Sequence, residues 1–368
     1  MKTILYRLAM GGIVSASLLL ALLGLTGSIQ AFYYEIDEWL NPHFYQTPTK
    51  GTAKHPADLI ETLEAAVPEA MVWYLEMQKG PGRSVMVGVE PRPDMATGIK
   101  PTLEKDYYYM DPVSGDIVGS RFWGACCFSA ENFINFTYEI HRDLTLPGVW
   151  GLYLTGFLAC FWFLSSVVFL YRLARKGKAT RRVAFSTLSA KAQAAIVVVM
   201  IPVAFSSIEL NLSEEVFKPV VSLFSGTQPS IYADYAQKSP ETFGARTLSY
   251  RDAYEIAEAL GKKAGETAPV GELFYSIPYN FYGMAYGARD PVGMGNNWVY
   301  ISAADGTVVG SKRPLDGSAG DVFTSAQLAL HSGRGFGLWN QIYICLIGLL
   351  LVGVCWRVGR WAYRQAMA

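Results

Sequence analysis

The sequence predicts a membrane protein with four transmembrane helices and two periplasmic α+β modules. Three observations predict it: four long uncharged apolar stretches, the division of charge between them, and a motif that occurs twice. The chain has 368 residues, 51% hydrophobic and 17% charged, with a mean hydropathy of +0.20. Ordinary soluble domains carry about 25% charged residues. That composition excludes a disordered chain, a small disulfide scaffold and a basic nucleic-acid binder.

The uncharged stretches are Leu8–Tyr34, Leu144–Tyr171, Ala192–Ile208 and Gly335–Trp356. A helix crosses a bilayer with about 20 apolar residues. The third stretch has 17, and Leu210 and Leu212 extend it past Glu209. The expected spans are therefore 8–34, 144–171, 192–212 and 335–357. Between them lie a module over 35–130, a basic loop over 172–191 and a second module over 213–330. Ser28-Ile29-Gln30-Ala31 would pass as a cleavage site, but the first stretch is longer than a signal-peptide core and reads as a retained span.

The short segments hold 12 basic residues and no acid, among them Arg172, Arg175, Lys178, Arg181 and Arg182. All 31 acids share the two long loops with the other 19 basic residues. By the positive-inside rule both termini are cytoplasmic and both long loops lie outside.

Each long loop reads as a helix followed by an antiparallel meander. In the first, Pro56–Ala66 is the helix, with strands at Met71–Met77, Arg83–Val89, Asp106–Met110 and Ile117–Arg121. In the second, Tyr250–Leu260 is the helix, with strands at Gly271–Ile277, Asn280–Ala288, Asn297–Ser302 and Thr307–Lys312. Both end in an aromatic strand, an Asp/Gly turn, and then Val-Gly-Ser and a basic residue: Val118–Arg121 and Val309–Lys312. That is an internal repeat.

These motifs carry a resemblance to the PepSY-associated transmembrane family, of the iron-regulated, ferric-siderophore-reductase type. Leu25-Thr26-Gly27, Glu35–Glu38 and Leu40-Asn41-Pro42 are similar to that family's first-span motif. Ile140–Leu144 with Trp150-Gly151, Asn211–Val216, and Leu330–Arg334 with Phe336-Gly337 resemble its later motifs, in order. The resemblance covers nearly the whole chain. It implies two PepSY-like modules and haem-dependent reduction of a ferric siderophore, with histidines on the transmembrane helices as iron ligands.

There are four histidines. His43 and His55 lie in a proline-rich polar stretch and read as exposed loop residues. His141 and His331 each precede a span on the outer side, each close to an arginine, Arg142 and Arg334. Two neutral imidazoles on facing helices can supply both axial positions of one b-type haem, with arginines pairing its propionates. The structural alternative is a pair of hydrogen-bonding residues at helix ends. The family's resemblance favours the haem. It also implies two further histidines near the cytoplasmic ends of the first and third spans, where this sequence has Ala9 and Ser189. A second haem therefore lacks its ligands. Met10 and Met200, in the same spans, read as packing residues.

Cys160, Cys345 and Cys355 fall inside spans and read as packing residues. Cys126 and Cys127 read as two buried thiols, with a redox pair or a soft-metal site left open. Gly283, Gly287, Gly293 and Gly295 form no phosphate loop, and no catalytic triad or zinc spacing occurs. Among the aromatic residues, Trp73, Tyr74, Tyr107–Tyr109, Tyr279, Tyr282 and Tyr286 are expected mostly on sheets or at the membrane surface.

The expected function is electron transfer through haem b to a periplasmic ferric chelate, with a ferric siderophore as the expected substrate. His141 and His331 hold the iron, and Arg142 and Arg334 meet the propionates. Electrons come from another membrane subunit, a quinol or a periplasmic donor. A non-enzymatic binding or scaffold subunit is the alternative. A transport accessory comes third, because few ionisable groups lie within the spans.

Overall fold

A computed structural model describes residues 2–77, 80–94, 97–176, 189–236, 238, 244–289 and 294–367. Much of the basic segment, with Lys178, Arg181 and Arg182, lies outside the described residues, as does Gly293. The helices in chain order are α1 Lys2–Gln30, α2 Tyr33–Leu40, α3 Pro42–Tyr45 and α4 Pro56–Ala66. After the first four strands come α5 Phe133–Asp143, α6 Trp150–Lys176 and α7 Ala190–Leu212, then α8 Lys218–Val221, α9 Ile231–Ala236 and α10 Tyr250–Ala264. The second four strands are followed by α11 Ala319–His331 and α12 Leu338–Met367. The chain divides into two compact units.

The first unit is helical and comprises 1–33, 134–227 and 318–368. Among the described residues, four helices are long and apolar enough to cross a membrane: Thr3–Gln30, Trp150–Arg175, Lys191–Val221 and Leu338–Met367. Helix α1 packs along α12, and α6 along α7. The α1–α12 approach is made by small residues. A Cβ on Gly24 would come to 2.7 Å from the Gly348 carbonyl, and the Ser28 hydroxyl donates to the Cys345 carbonyl at 2.9 Å. Close backbone approach through small residues is how helices associate where lipid removes the hydrophobic drive.

The helix bounds differ from the sequence expectation: α1 spans Lys2–Gln30 where 8–34 was expected, and α12 spans Leu338–Met367 where 335–357 was expected. The second long helix begins at Trp150 and not at residue 144, because Leu144 and Thr145 adopt left-handed backbone with φ of 59° and 56°. Asp143 holds that break by accepting from the Thr145 amide at 2.9 Å. Gly151 is required beside it, since a Cβ there would meet the Asp143 carbonyl at 1.9 Å. The third span runs past 212 through a π turn at Ser213–Phe217 and α8. Lys218 and Glu214 stabilise that extension as an i,i+4 pair at 2.5 Å.

The second unit comprises 34–133 and 228–317. Its strands are β1 Ala70–Glu76, β2 Val85–Pro91, β3 Tyr107–Met110, β4 Ile117–Arg121, β5 Val270–Ser276, β6 Phe281–Tyr286, β7 Trp298–Ser302 and β8 Val308–Lys312. The two repeats are not separate domains. They join at β1 and β5 into one antiparallel sheet ordered β4-β3-β2-β1-β5-β6-β7-β8. The repeat is visible in the register. Tyr109 faces Gly119 and Tyr300 faces Gly310, and the next residue of each pair carries the same irregularity.

Helices α4 and α10 cover one face of this sheet, and a single apolar core runs across the seam. Leu59 and Leu63 of α4, Val72 and Leu75 of β1, Leu273 of β5 and Ile301 of β7 all belong to it. Each such side chain contributes about 1.5–3 kcal/mol when fully buried, so the seam is a core and not a hinge. Tyr250 of α10 donates to the Val72 carbonyl of β1 at 2.5 Å, crossing from one repeat to the other. Both helices are delimited locally. Ser249 and Asp252 form a capping box, and Gly265 ends α10 at φ 80°. The cap of α4 is His55, whose Nδ1 accepts from the Ala57 amide at 3.1 Å. His55 is therefore a half-buried capping residue and not the exposed loop residue expected, whereas His43 is exposed.

Candidate functional site

His141 lies in the last turn of α5 and His331 ends α11, both in the helical unit. Neither lies on a membrane-crossing helix. The left-handed residues Leu144 and Thr145 separate α5 from α6, and Gly333 and Gly337, at φ 75° and 67°, separate α11 from α12. Each short helix docks instead on the span that precedes its module in sequence. Gln30 of α1 donates to the Thr137 hydroxyl at 2.9 Å, and Tyr33 donates to Asn135 at 2.8 Å, fixing α5. Phe323 of α11 lies 6.0 Å from the rings of Phe205 and Phe217, fixing α11.

That docking brings His141 and His331 together, with ring centroids 6.0 Å apart and planes 34° from parallel. The hydrogen bonds assign the tautomers. Nδ1 of His141 is 3.0 Å from the Leu23 carbonyl, which can only accept, so Nδ1 carries the proton. The Thr26 hydroxyl, 3.2 Å away, already donates to the Leu22 carbonyl at 2.9 Å and accepts from the ring. Nδ1 of His331 lies 3.1 Å from Ser206 Oγ and 3.5 Å from Ser207 Oγ. Both hydroxyls donate to the Val203 carbonyl, at 3.0 and 2.8 Å, so here too Nδ1 is the donor. Each ring therefore keeps its proton on Nδ1 and a bare lone pair on Nε2. Burial lowers both pKa values below the ordinary histidine range, and for His331 the neighbouring His141 adds to it, so the neutral form is favoured.

Gly27 makes room for the arrangement. A Cβ there would meet His141 Cε1 at 2.7 Å, so any side chain would displace the ring. The Thr26-Gly27 pair thus acts on the imidazole from the first span, as Ser206-Ser207 does from the third. None of these four is apparent from the sequence as part of the site. The available signal was the presence of small hydroxyl residues within otherwise apolar spans.

The arginines differ. Arg142 is committed to Asp143 at 2.7 Å and Glu139 at 3.1 Å. Arg334 is buried, at 8% exposure. At the other end of the bundle Ala9 lies within α1, and Ser189 caps α7 by accepting from the Ala192 amide at 3.2 Å. Met10 and Met200 are buried in the bundle as expected.

Chemically, two fixed imidazole lone pairs form a two-donor site. Among the described residues no group of three or more His, Cys, Asp or Glu could hold a metal ion. Two histidine donors are what a haem with two protein ligands would require.

Of the aromatic residues, Tyr282 and Tyr286 are packed in the sheet unit. Tyr279 lines a pocket of about 300 Å³ in the second repeat with Tyr235, Lys238, Ser302, Asp305 and Thr307. Cys126 is exposed and Cys127 half-buried, and their sulfurs are bonded to each other; they are not the buried thiols expected.

A family model described as PepSY-associated TM region matches residues 12–357. No curated protein matches the chain.

Proposed function

The chain belongs to the PepSY-associated TM region family, and we propose that it is an inner-membrane electron-transfer protein that binds one b-type haem and reduces a periplasmic ferric chelate. The observation that carries this is the pair of bare Nε2 atoms on His141 and His331. A metal-ligating histidine characteristically donates its other ring N–H to a carbonyl or similar acceptor, which fixes the tautomer and raises basicity. Both rings have that support.

Bound haem would supply one-electron chemistry at its iron. The chain's own part is to present two neutral imidazoles in fixed orientation and to surround them with apolar helices. Arg142 and Arg334, the arginines nearest in sequence to the two histidines, are the proposed propionate partners. A ferric siderophore is the proposed substrate class. Reduction weakens the hold of hard oxygen donors on iron, so the product ion is released. The orientation proposed is both termini cytoplasmic, supported by the 12 basic residues of the short segments.

The second reading is a non-enzymatic binding or scaffold subunit. What favours it is the absence of histidine at Ala9 and Ser189, which leaves no relay on the cytoplasmic side. An absorption spectrum of detergent-purified protein, oxidised and dithionite-reduced, separates the two. Reduced b-type bands at one haem per chain, lost in His141→Ala and His331→Ala, are expected. Protein from haem-replete cells that carries none sinks the reductase reading.

A further inference from the structure

The segment between β4 and α5 carries Cys126 and Cys127 at its tip, and its two ends are clamped. Arg121 Nη1 donates to the Glu131 carbonyl at 3.0 Å, while Nη2 holds Asp37 at 2.7 Å. Asn41 donates to the Ala130 carbonyl at 2.8 Å. Near the start, the Trp123 amide donates to Asp106 at 2.6 Å, and its ring lies 5.0 Å from that of Tyr107. The tip faces outward. Cys126 is exposed, Cys127 is half-buried, and neighbouring Phe128 is 73% exposed. The two sulfurs are bonded, and Cys160, Cys345 and Cys355 are free.

In the chain-entropy account a disulfide stabilises a fold by restricting the unfolded chain, and the effect grows with the number of residues enclosed. A bond between neighbours encloses none. It therefore adds little to stability, and Arg121 and Asn41 already close the loop. What distinguishes this pair is its accessibility, and exposed disulfides are the labile ones. We propose that Cys126–Cys127 is a thiol–disulfide exchange site, reduced in the folded protein by a dithiol of the thioredoxin type.

The step balances without the histidine site. One thiolate of the dithiol attacks a sulfur of the pair, the Cys126–Cys127 bond breaks, and a mixed disulfide forms. The second thiolate of the reductant then displaces the remaining cysteine. Two electrons and two protons pass to the pair, and the reductant leaves as its own disulfide.

The test uses full-length protein in detergent, purified from oxidising membranes, with dithiothreitol as the probe. Thiols are alkylated after denaturation and counted by mass. Three of the five cysteines are expected to label before reductant, and all five after brief treatment of the folded protein. Peptide mapping should place the two new labels on Cys126 and Cys127, a readout that needs no variant. The double variant Cys126→Ser, Cys127→Ser should lose the two-thiol gain and keep the parent's melting temperature. Five labels before reductant would overturn the proposal. So would a gain seen only when reductant is added after denaturation, or a lowered melting temperature in the variant, which would mark the bond as structural.

Discussion

Arg121 and Lys312 end equivalent strands of the two repeats, β4 and β8, yet one is fully buried and the other exposed. Arg121 lies 4.6 Å from the Phe44 ring centroid and 5.1 Å from that of Tyr109, and it pairs with the buried Asp37 of α2. In the first repeat, α3 covers the outer sheet face through Phe44 and Tyr45 over Tyr109. In the second, α9 covers it through Ile231 and Tyr235 over Phe281 and Tyr300. The same backbone repeat thus accepts either an ion pair under aromatic rings or an aromatic cluster alone. The helical unit shows a similar divergence. Helix α5 docks through amides and hydroxyls, and α11 through phenylalanines, yet each carries in its last turn a histidine held at Nδ1.

The largest expected effect tests the first contrast. Asp37→Ala strands the Arg121 charge and should cost about 3–5 kcal/mol in a denaturant melt, whereas Lys312→Ala should stay within about 0.5 kcal/mol. Similar losses at both sites would remove the asymmetry.

The next effects concern the histidine arms and are read by haem titration. Gly27→Ala should lower haem affinity about 10–100-fold by displacing the His141 ring, with the fold kept as judged by circular dichroism. Thr26→Val should cost less, about tenfold or under, because the Leu23 carbonyl still accepts from Nδ1. Ser206→Ala should exceed it, since Ser207 stands farther off at 3.5 Å. A reversed order would mean that the carbonyl does not hold His141.

The smallest effect lies at the seam of the two repeats, where Glu76 faces Glu272. The Tyr74 hydroxyl lies 3.1 Å from Glu76 and 2.8 Å from Glu272, but it has one proton to donate. Burial raises the Glu272 pKa above the ordinary carboxyl range; Tyr74 and Arg289 oppose that, and Glu76 adds to it. The folded state then holds this proton more tightly than the unfolded one. Its contribution is full below the unfolded value and is lost as pH rises through the folded value. Glu272→Gln should flatten that decline, shifting the melting temperature at neutral pH upward by about a degree or two. An unchanged pH dependence would mean that Glu272 does not titrate in this range.

Much of the local structure was legible in the sequence. The α4 helix begins at Pro56 and ends at Ala66 as its apolar spacing predicts, and β4 covers Ile117–Arg121 as its turn predicts. Those features depend on neighbours in the chain: proline at a helix start, an Asp/Gly turn, a period of two or 3.6. The break at Leu144–Thr145 was not legible, because neither residue type favours a left-handed backbone and the apolar run continues through it. The role of Thr26 was hidden for a related reason. A hydroxyl in an apolar span can be satisfied by its own helix, so nothing in the sequence shows that it also receives a distant histidine.

The sequence by itself determined four apolar helices, a twice-repeated meander and two histidines near helix ends, because hydropathy, periodicity and charge are read residue by residue. Only the tertiary structure decided that the meanders fuse into one sheet, that His141 and His331 meet, and that both rings carry their protons on Nδ1. Those outcomes depend on which β edge finds a partner and which carbonyl lies within 3 Å of a nitrogen. Such contacts join residues more than a hundred positions apart, and no local pattern encodes them.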